Sequence, residues 1–285
     1  MSLEPMEPFE NAANFAEDVG MFEAATHSAP VALATPRLQS IVLALDGSDQ
    51  DETAQGFAEL IAARSGARVD TVSGATSAQG LLAELAARPH DLLVLPAPFG
   101  QDYRELGGDS LGSVVDQVLL KADCGVLCVR APQDRVAIQA ALDSAIVPIV
   151  AADEGASRAM GWAFLLTPEG GRIDLVAVAD RDVVAAAREA LPESPASTSL
   201  DPAQLNRGLI RDIGGLVAAA QKRGADENRT VHVETRVGRF VPLTLAELHG
   251  DPHLLVVGAA REHASPSFHH AVDLLLASSG SVLIV

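Results

Sequence analysis

The two halves of this 285-residue chain close on the same pattern. Each passes from an apolar run, Leu92-Leu93-Val94-Leu95 in one and Leu254-Leu255-Val256-Val257 in the other, through an amphipathic segment to a last apolar run. Residues 111–129 (LGSVVDQVLLKADCGVLCV) lie without gaps on residues 267–285 (SFHHAVDLLLASSGSVLIV), so the chain carries an internal repeat. Short runs that are apolar throughout suit strands buried on both faces, and amphipathic stretches between them supply helices to cover a parallel sheet.

The remaining pattern repeats this alternation. In the first half, IVLALDGS from residue 41 predicts a buried strand opening through Asp-Gly-Ser into a helix over residues 51–65. A strand at 67–72, a helix at 77–88, a strand at 91–95, a polar loop, a helix at 111–122 and a strand at 126–129 follow. The second half restarts at residue 147 with VPIVAADEG, then a helix at 156–166, a strand at 173–179 and helical material up to residue 223. A Pro- and Ser-rich stretch at 191–202 interrupts that material. A strand at 230–237, a short helix at 243–249, a strand at 254–257, a helix at 267–277 and a terminal strand complete it. The interval from Asp46 to Leu92 is much shorter than that from Asp153 to Leu254, so the first copy is expected to lack one strand-helix unit.

At roughly 150 residues per domain the length predicts two domains. Their boundaries are read as residues 37–132 and 147–285, joined by a linker at 133–146 and preceded by an acidic tail at 1–36. The tail holds six acids and no Lys or Arg, and forms either a short amphipathic helix near residues 9–22 or a mobile arm. No apolar run approaches the ~20 residues of a membrane span, and acids stand where a signal peptide would be basic. The expectation is a cytoplasmic protein without membrane insertion. A formal charge of −18 disfavours a nucleic-acid partner, because phosphate backbones are bound largely by Lys and Arg.

In a doubly wound sheet, ligands sit beyond the carboxyl ends of the strands at the switch point of strand order. The candidate binding residues there are Asp46, Gly47 and Ser48 after the first strand, and Gly100, Gly112 and Ser113 on the facing loop and helix start. Asp153 and Gly258 are their counterparts in the second half. Gly112 and Ser113 at a helix start can offer backbone N–H groups and a hydroxyl to a phosphate, while Asp46 can orient a ribose or a metal ion. The same residues also make turns and caps.

IVLALDGS, DLLVLPAPFG and especially LGSVVDQVLLKADCGVLCVR resemble the universal stress protein family, whose closing signature is similar to GSVxxxVLxxAxCPVLVVR. Gly112, Ser113, Val114, Val118, Leu119, Ala122, Cys124, Val126, Leu127, Val129 and Arg130 fit it, and the likeness covers residues 38–285. It implies a tandem, two-domain member with α/β, Rossmann-like sheets in the order 3-2-1-4-5, the first lacking one strand-helix unit. It also implies an internal pseudo-dimer formed through the last strand of each half, at residues 126–129 and 282–285. Nucleotide-binding relatives carry G-x2-G-x9-G-[ST] after the fourth strand. Here Pro96 and Phe99 fall on the two glycine positions of the first half, and the loop to Gly112-Ser113 is longer than the motif. In the second half Gly258 matches the first glycine, but Arg261 replaces the second and Phe268-His269 replace Gly-Ser. Proline removes a donor and a bulky side chain forbids the dihedrals of glycine.

Other chemistry is sparse. His249, His253, His263, His269 and His270 cluster in sequence, but only the first two have i, i+4 spacing and Pro252 lies between them. Surface or capping roles are set against a zinc-type site or a pH-responsive patch. Cys124 and Cys128 read as two buried apolar thiols. No G-x-S-x-G, H-E-x-x-H or G-x-x-x-x-G-K-[ST] occurs. The expected function is therefore a non-catalytic stress-response or regulatory protein with degenerate nucleotide loops. The alternatives are an ATP-binding or slowly hydrolysing switch using the first half, and a soluble regulatory module acting on a transporter or kinase. The cofactor is ATP or another adenine nucleotide with magnesium, or none. A small nucleotide, a second copy of the chain and unidentified proteins are the candidate partners.

Overall fold

A computed structural model describes residues 32–74, 77–87, 90–100, 111–180, 202–248, 252–260 and 265–285. Nine strands and eight helices alternate. β1 (Ser40–Leu45), α1 (Asp51–Ser65), β2 (Arg68–Ser73), α2 (Ala78–Ala87), β3 (Leu92–Pro96), α3 (Ser113–Lys121) and β4 (Gly125–Val129) make the first half. Then come α4 (Arg135–Asp143), β5 (Ser144–Ile149), α5 (Glu154–Leu166), β6 (Arg172–Asp180), α6 (Pro202–Asp226), β7 (Thr230–Gly238), α7 (Phe240–Ala246), β8 (Leu254–Val257), α8 (Pro266–Ala277) and β9 (Val282–Ile284). Among the described residues, no helix is long and apolar enough to cross a membrane.

The strands form one sheet in the order β2-β1-β3-β4-β9-β8-β5-β6-β7. All neighbours are parallel except β4 and β9, which pair antiparallel at Val126 with Ile284, Leu127 with Leu283 and Cys128 with Val282. The second half thus has the expected order 3-2-1-4-5. The first has the same order without its outermost strand, so β2 is an edge. Burial follows from this layout: β3 and β4 are buried at every position, whereas β2 alternates half-buried and exposed residues.

Along each strand, successive side chains point to opposite faces. Ile41 and Leu43 enter one apolar cluster with Phe57, Trp162, Phe164 and Leu216, while Val42 and Ala44 enter another with Phe99, Val118, Phe240 and Leu274. Each cluster contains residues of both halves, so the two cores are continuous across the β4–β9 seam. Trp162 on α5 reaches over to the first half, where a Cβ at Gly125 would stand 3.3 Å from its ring. Arg130, 4% exposed, donates across the seam from Nη2 to the Leu276 carbonyl at the end of α8 (3.2 Å). Cations are favoured at such helix C-termini. Arg64 on α1 ties to Asp143 (2.8 Å) and to the Leu166 carbonyl (3.1 Å).

Two expectations change. The stretch 133–146 is not an open linker. Asp134 caps α4 by accepting the Ala137 N–H at 2.8 Å, and Ile138, Ala141 and Leu142 form the helical i, i+3, i+4 stripe that is buried against the core. The helix then runs directly into β5 at Ser144, three residues before the strand was expected. The segment read as the linker end of the tail also has a fixed place. Ala32 and Ala34 bracket the Ser157 hydroxyl, which donates to the Ala32 carbonyl (3.1 Å) and accepts the Ala34 N–H (3.1 Å). The strap lies so close to α5 that a Cβ at Gly161 would be 2.2 Å from the Ala34 oxygen. The readings for residues 1–31 and for the loop at 101–110 fall outside the described residues.

This contact predicts opposite outcomes for one substitution at two helical glycines. Gly161→Ala should destabilise the protein by about 1–3 kcal/mol, as overpacking does. Gly208→Ala on α6, where nothing lies within 4 Å of the new Cβ, should stabilise it by ~0.5–1 kcal/mol. Urea denaturation of both variants reads the signs.

Candidate functional site

The carboxyl ends of β1 and β3 bring Asp46, Gly47, Ser48 and Gly100 together. Their hydrogen bonds close on one another. Asp46 Oδ1 accepts the Ser48 N–H (3.0 Å) and Oδ2 accepts the Gly100 N–H (2.6 Å). Asp51, in the first turn of α1, accepts the N–H groups of Asp46 (3.1 Å) and Gly47 (2.8 Å). Burial pushes the Asp51 carboxyl above its ordinary range; the two N–H bonds oppose this and the nearby Asp46 charge adds to it. Gly47 and Gly100 hold φ of 86° and 70°, the left-handed region that glycine enters without strain. The Asp46 carboxylate therefore serves the turn. Ser48 Oγ is buried and has no hydrogen-bond partner among the described residues.

Gly112 and Ser113 open α3 as expected, with Gly112 at φ 82° in the cap position. The approach to them differs from a glycine-lined phosphate loop. Phe99 and Leu111 are 0% and 1% exposed and enter the same apolar cluster as Leu95, Val115 and Val118. An aromatic ring thus fills the core where the resembling motif would keep a bare backbone. Burial also raises the Asp116 carboxyl in the first turn of α3.

In the second half Asp153 accepts the Ala156 N–H at 2.7 Å and caps α5. Gly258 follows β8 at the switch point between β5 and β8, and its backbone abuts that of Gly155: a Cβ at Gly258 would stand 2.1 Å from the Gly155 oxygen. The two loops meet where a ligand would enter. What remains is a cavity of about 30 Å³ lined by Asp153, Val257, Gly258, Ser267, His270 and Phe240. That volume suits a water rather than a nucleotide.

A larger opening lies where the sequence reading did not look. Because β4 and β9 run antiparallel, the carboxyl ends of the second half face the amino ends of the first. A cleft of about 640 Å³ lies between them, with Asp153, Gly155 and Arg158 on one side and Asp91, Asp123 and Cys124 on the other. Arg37 also lines it and makes no hydrogen bond or ion pair among the described residues. Arg158 donates to the Ala259 carbonyl (3.2 Å) and lies 3.7 Å from Glu154, while its Nε is buried without a partner. Asp91 is occupied by the N–H groups of Gln39 (2.7 Å) and Ser40 (3.0 Å). No sequence motif marks this cleft, since it unites residues more than a hundred positions apart.

The histidines that are described have separate partners. His253 Nδ1 bonds the Ser144 hydroxyl at 2.8 Å, and His269 Nδ1 lies 3.1 Å from the Ser265 carbonyl of its own helix. His270 stacks on Phe240 at 4.6 Å and lies 3.9 Å from buried Asp180. His249 and His263 are outside the described residues. Among the described residues, no group of three or more His, Cys, Asp or Glu is placed to hold a metal ion. The thiols differ from expectation: Cys128 is buried, but Cys124 is only half-buried and faces the large cleft. Burial in β4 pushes the Cys128 thiol up to about 12, the Arg130 charge offsetting part of the effect.

No family model matches the chain, and no curated protein is similar to it. Solved structures do match. A universal stress protein from Archaeoglobus fulgidus is similar over 86% of this chain and 95% of its own, with TM-score 0.53 and 14% identity. A protein from Pseudomonas aeruginosa described as a universal stress protein is similar over 98% of this chain and 90% of its own, with TM-score 0.46 and 13% identity. The likeness to the Archaeoglobus protein establishes that this chain shares the α/β fold of a universal stress protein.

Two outcomes follow from this geometry. Gly258→Ala should lower stability by about 1–3 kcal/mol, because neither backbone at the contact can yield as a flexible side chain does; urea denaturation checks it. At pH 8 a thiol with a pKa near 12 is deprotonated in roughly one molecule in ten thousand. Iodoacetamide at that pH should therefore modify Cys124 in the native protein and Cys128 only after denaturant is added, as peptide mass spectrometry will show.

Proposed function

We propose that this chain is a non-catalytic regulatory protein of the universal stress protein type, in which both nucleotide crevices have been turned over to packing. The halves at residues 37–132 and 147–285 act as tandem copies joined as an internal pseudo-dimer. The observation that carries this reading is that the chain's own atoms occupy the places a nucleotide's phosphates need. Phe99 is 0% exposed in the first crevice, and Gly258 abuts Gly155 in the second. The Asp46 carboxylate is engaged with the N–H groups of Ser48 and Gly100. Backbone N–H groups bind phosphate only when they face an open volume.

One observation favours the second reading, a nucleotide-binding switch. The cleft of about 640 Å³ beside the start of α5 falls within the roughly 300–1,000 Å³ typical of ligand sites and carries Arg37 and Arg158. Against it, Asp91, Asp123, Asp153 and Glu154 line the same cleft and oppose a polyphosphate.

Mass spectrometry of small molecules released from freshly purified protein, followed by calorimetric titration with magnesium-ATP, separates the two. The first reading expects neither nucleotide nor heat. Near-stoichiometric adenine nucleotide overturns it, and loss of that binding in Arg158→Ala would place the ligand in the large cleft. Retention of binding in Arg158→Ala together with loss in Gly112→Val would place it in the first crevice instead.

A further inference from the structure

We propose that a cavity of about 240 Å³ at the other end of the seam binds a small, neutral, polyhydroxylated molecule of the size of a polyol or monosaccharide. It lies where the amino ends of β8 and β9 meet the chain leaving β4. Both halves contribute: Gln133 comes from the segment between β4 and α4, and His253, Ser278 and Ser281 from the loops before β8 and β9.

The inference starts from polar atoms left without partners. Ser281 is 1% exposed, and its hydroxyl has no hydrogen-bond partner among the described residues. Gln133 Oε1 is likewise buried and unpartnered. Folded proteins leave few such atoms, and each asks for a water or a ligand. The two reside in one cavity. Around them the groups are already oriented: Ser278 Oγ accepts the Gly280 N–H (3.1 Å), which directs its own proton elsewhere, and the Ser144 hydroxyl fixes the His253 ring through Nδ1 (2.8 Å).

The lining selects the chemistry. No Asp, Glu, Lys or Arg lines the cavity, so nothing there compensates an ion. Gln133 Oε1 can only accept, whereas serine hydroxyls both donate and accept, so the ligand must bring donors and acceptors together. Hydroxyl groups on adjacent carbons meet that demand. Leu248 and Leu255 offer an apolar wall to the C–H face of such a molecule. The volume is far above the ~10–15 Å³ that admits one water. It is just below the roughly 300–1,000 Å³ of sites for drug-sized ligands.

The site is separate from both nucleotide crevices, so the proposal stands whatever the magnesium-ATP titration returns. The test uses the full chain and ligand-observed NMR with sorbitol, glucose and trehalose as probes. Saturable binding of at least one probe is expected, and Ser281→Ala and Gln133→Leu should each weaken it roughly tenfold, a loss of about 1.4 kcal/mol. Ser281→Ala removes only an unpartnered hydroxyl, so its melting temperature should stay close to that of the parent and exclude misfolding as the cause. Absence of saturable binding for all three probes would mean that the cavity holds water alone. Equal binding in both variants would place the probe elsewhere, and either result overturns the proposal.

Discussion

The antiparallel pairing of Val126, Leu127 and Cys128 with Ile284, Leu283 and Val282 joins two parallel sets of strands into one sheet, and the rest of the structure is arranged around that seam. Its backbone bonds are few. The side chains carry more of the contact: Leu127 and Val129 with Leu283 and Val285 on one face, and Val126 and Cys128 with Val282 and Ile284 on the other, belong to cores shared by both halves. Two otherwise open edges disappear in the pairing, leaving β2 and β7 as the outer strands. The seam also explains the buried Arg130, whose guanidinium has its acceptor in Leu276, at the far end of the other half.

The same antiparallel relation decides where space remains. In each half alone, a doubly wound sheet would keep its crevice above the carboxyl ends of its strands. Here those crevices are closed by local packing, through Phe99 and the Asp46 turn in one and the Gly155–Gly258 approach in the other. Glycine plays a different part from the one its place in a phosphate loop suggests. At Gly258 the missing side chain admits another segment of backbone rather than a ligand. Openings persist instead at both ends of the seam, where carboxyl ends of one half face amino ends of the other: a charged cleft near Arg158 and a neutral cavity near Ser281.

Much of this architecture was legible in residue patterns. Runs such as Leu92–Pro96 are apolar at every position because both faces of a central parallel strand are buried, and the turn residues after them mark where helices start. The short interval between Asp46 and Leu92 disclosed the missing strand-helix unit. Where the reading failed, a competing pattern was present but discounted. Residues 135–143 carry a capping Asp134 and an apolar stripe at Ile138, Ala141 and Leu142, yet their place between two repeats suggested a linker. Asp46, Gly47, Ser48 and Gly100 do converge, but as partners of one another.

What the sequence by itself determined is therefore periodic and local: which segments are strands, which face of each helix is apolar, and that the unit occurs twice. Those properties depend on side chains within a few positions of each other. Only the tertiary structure decided whether a glycine faces a ligand or another backbone, and which side chains line the two ends of the seam. Contacts such as Gly155 with Gly258, or Gln133 with Ser281 around one cavity, join positions more than a hundred residues apart. Their distance is set by how the cores of both halves pack together, a quantity no local pattern encodes.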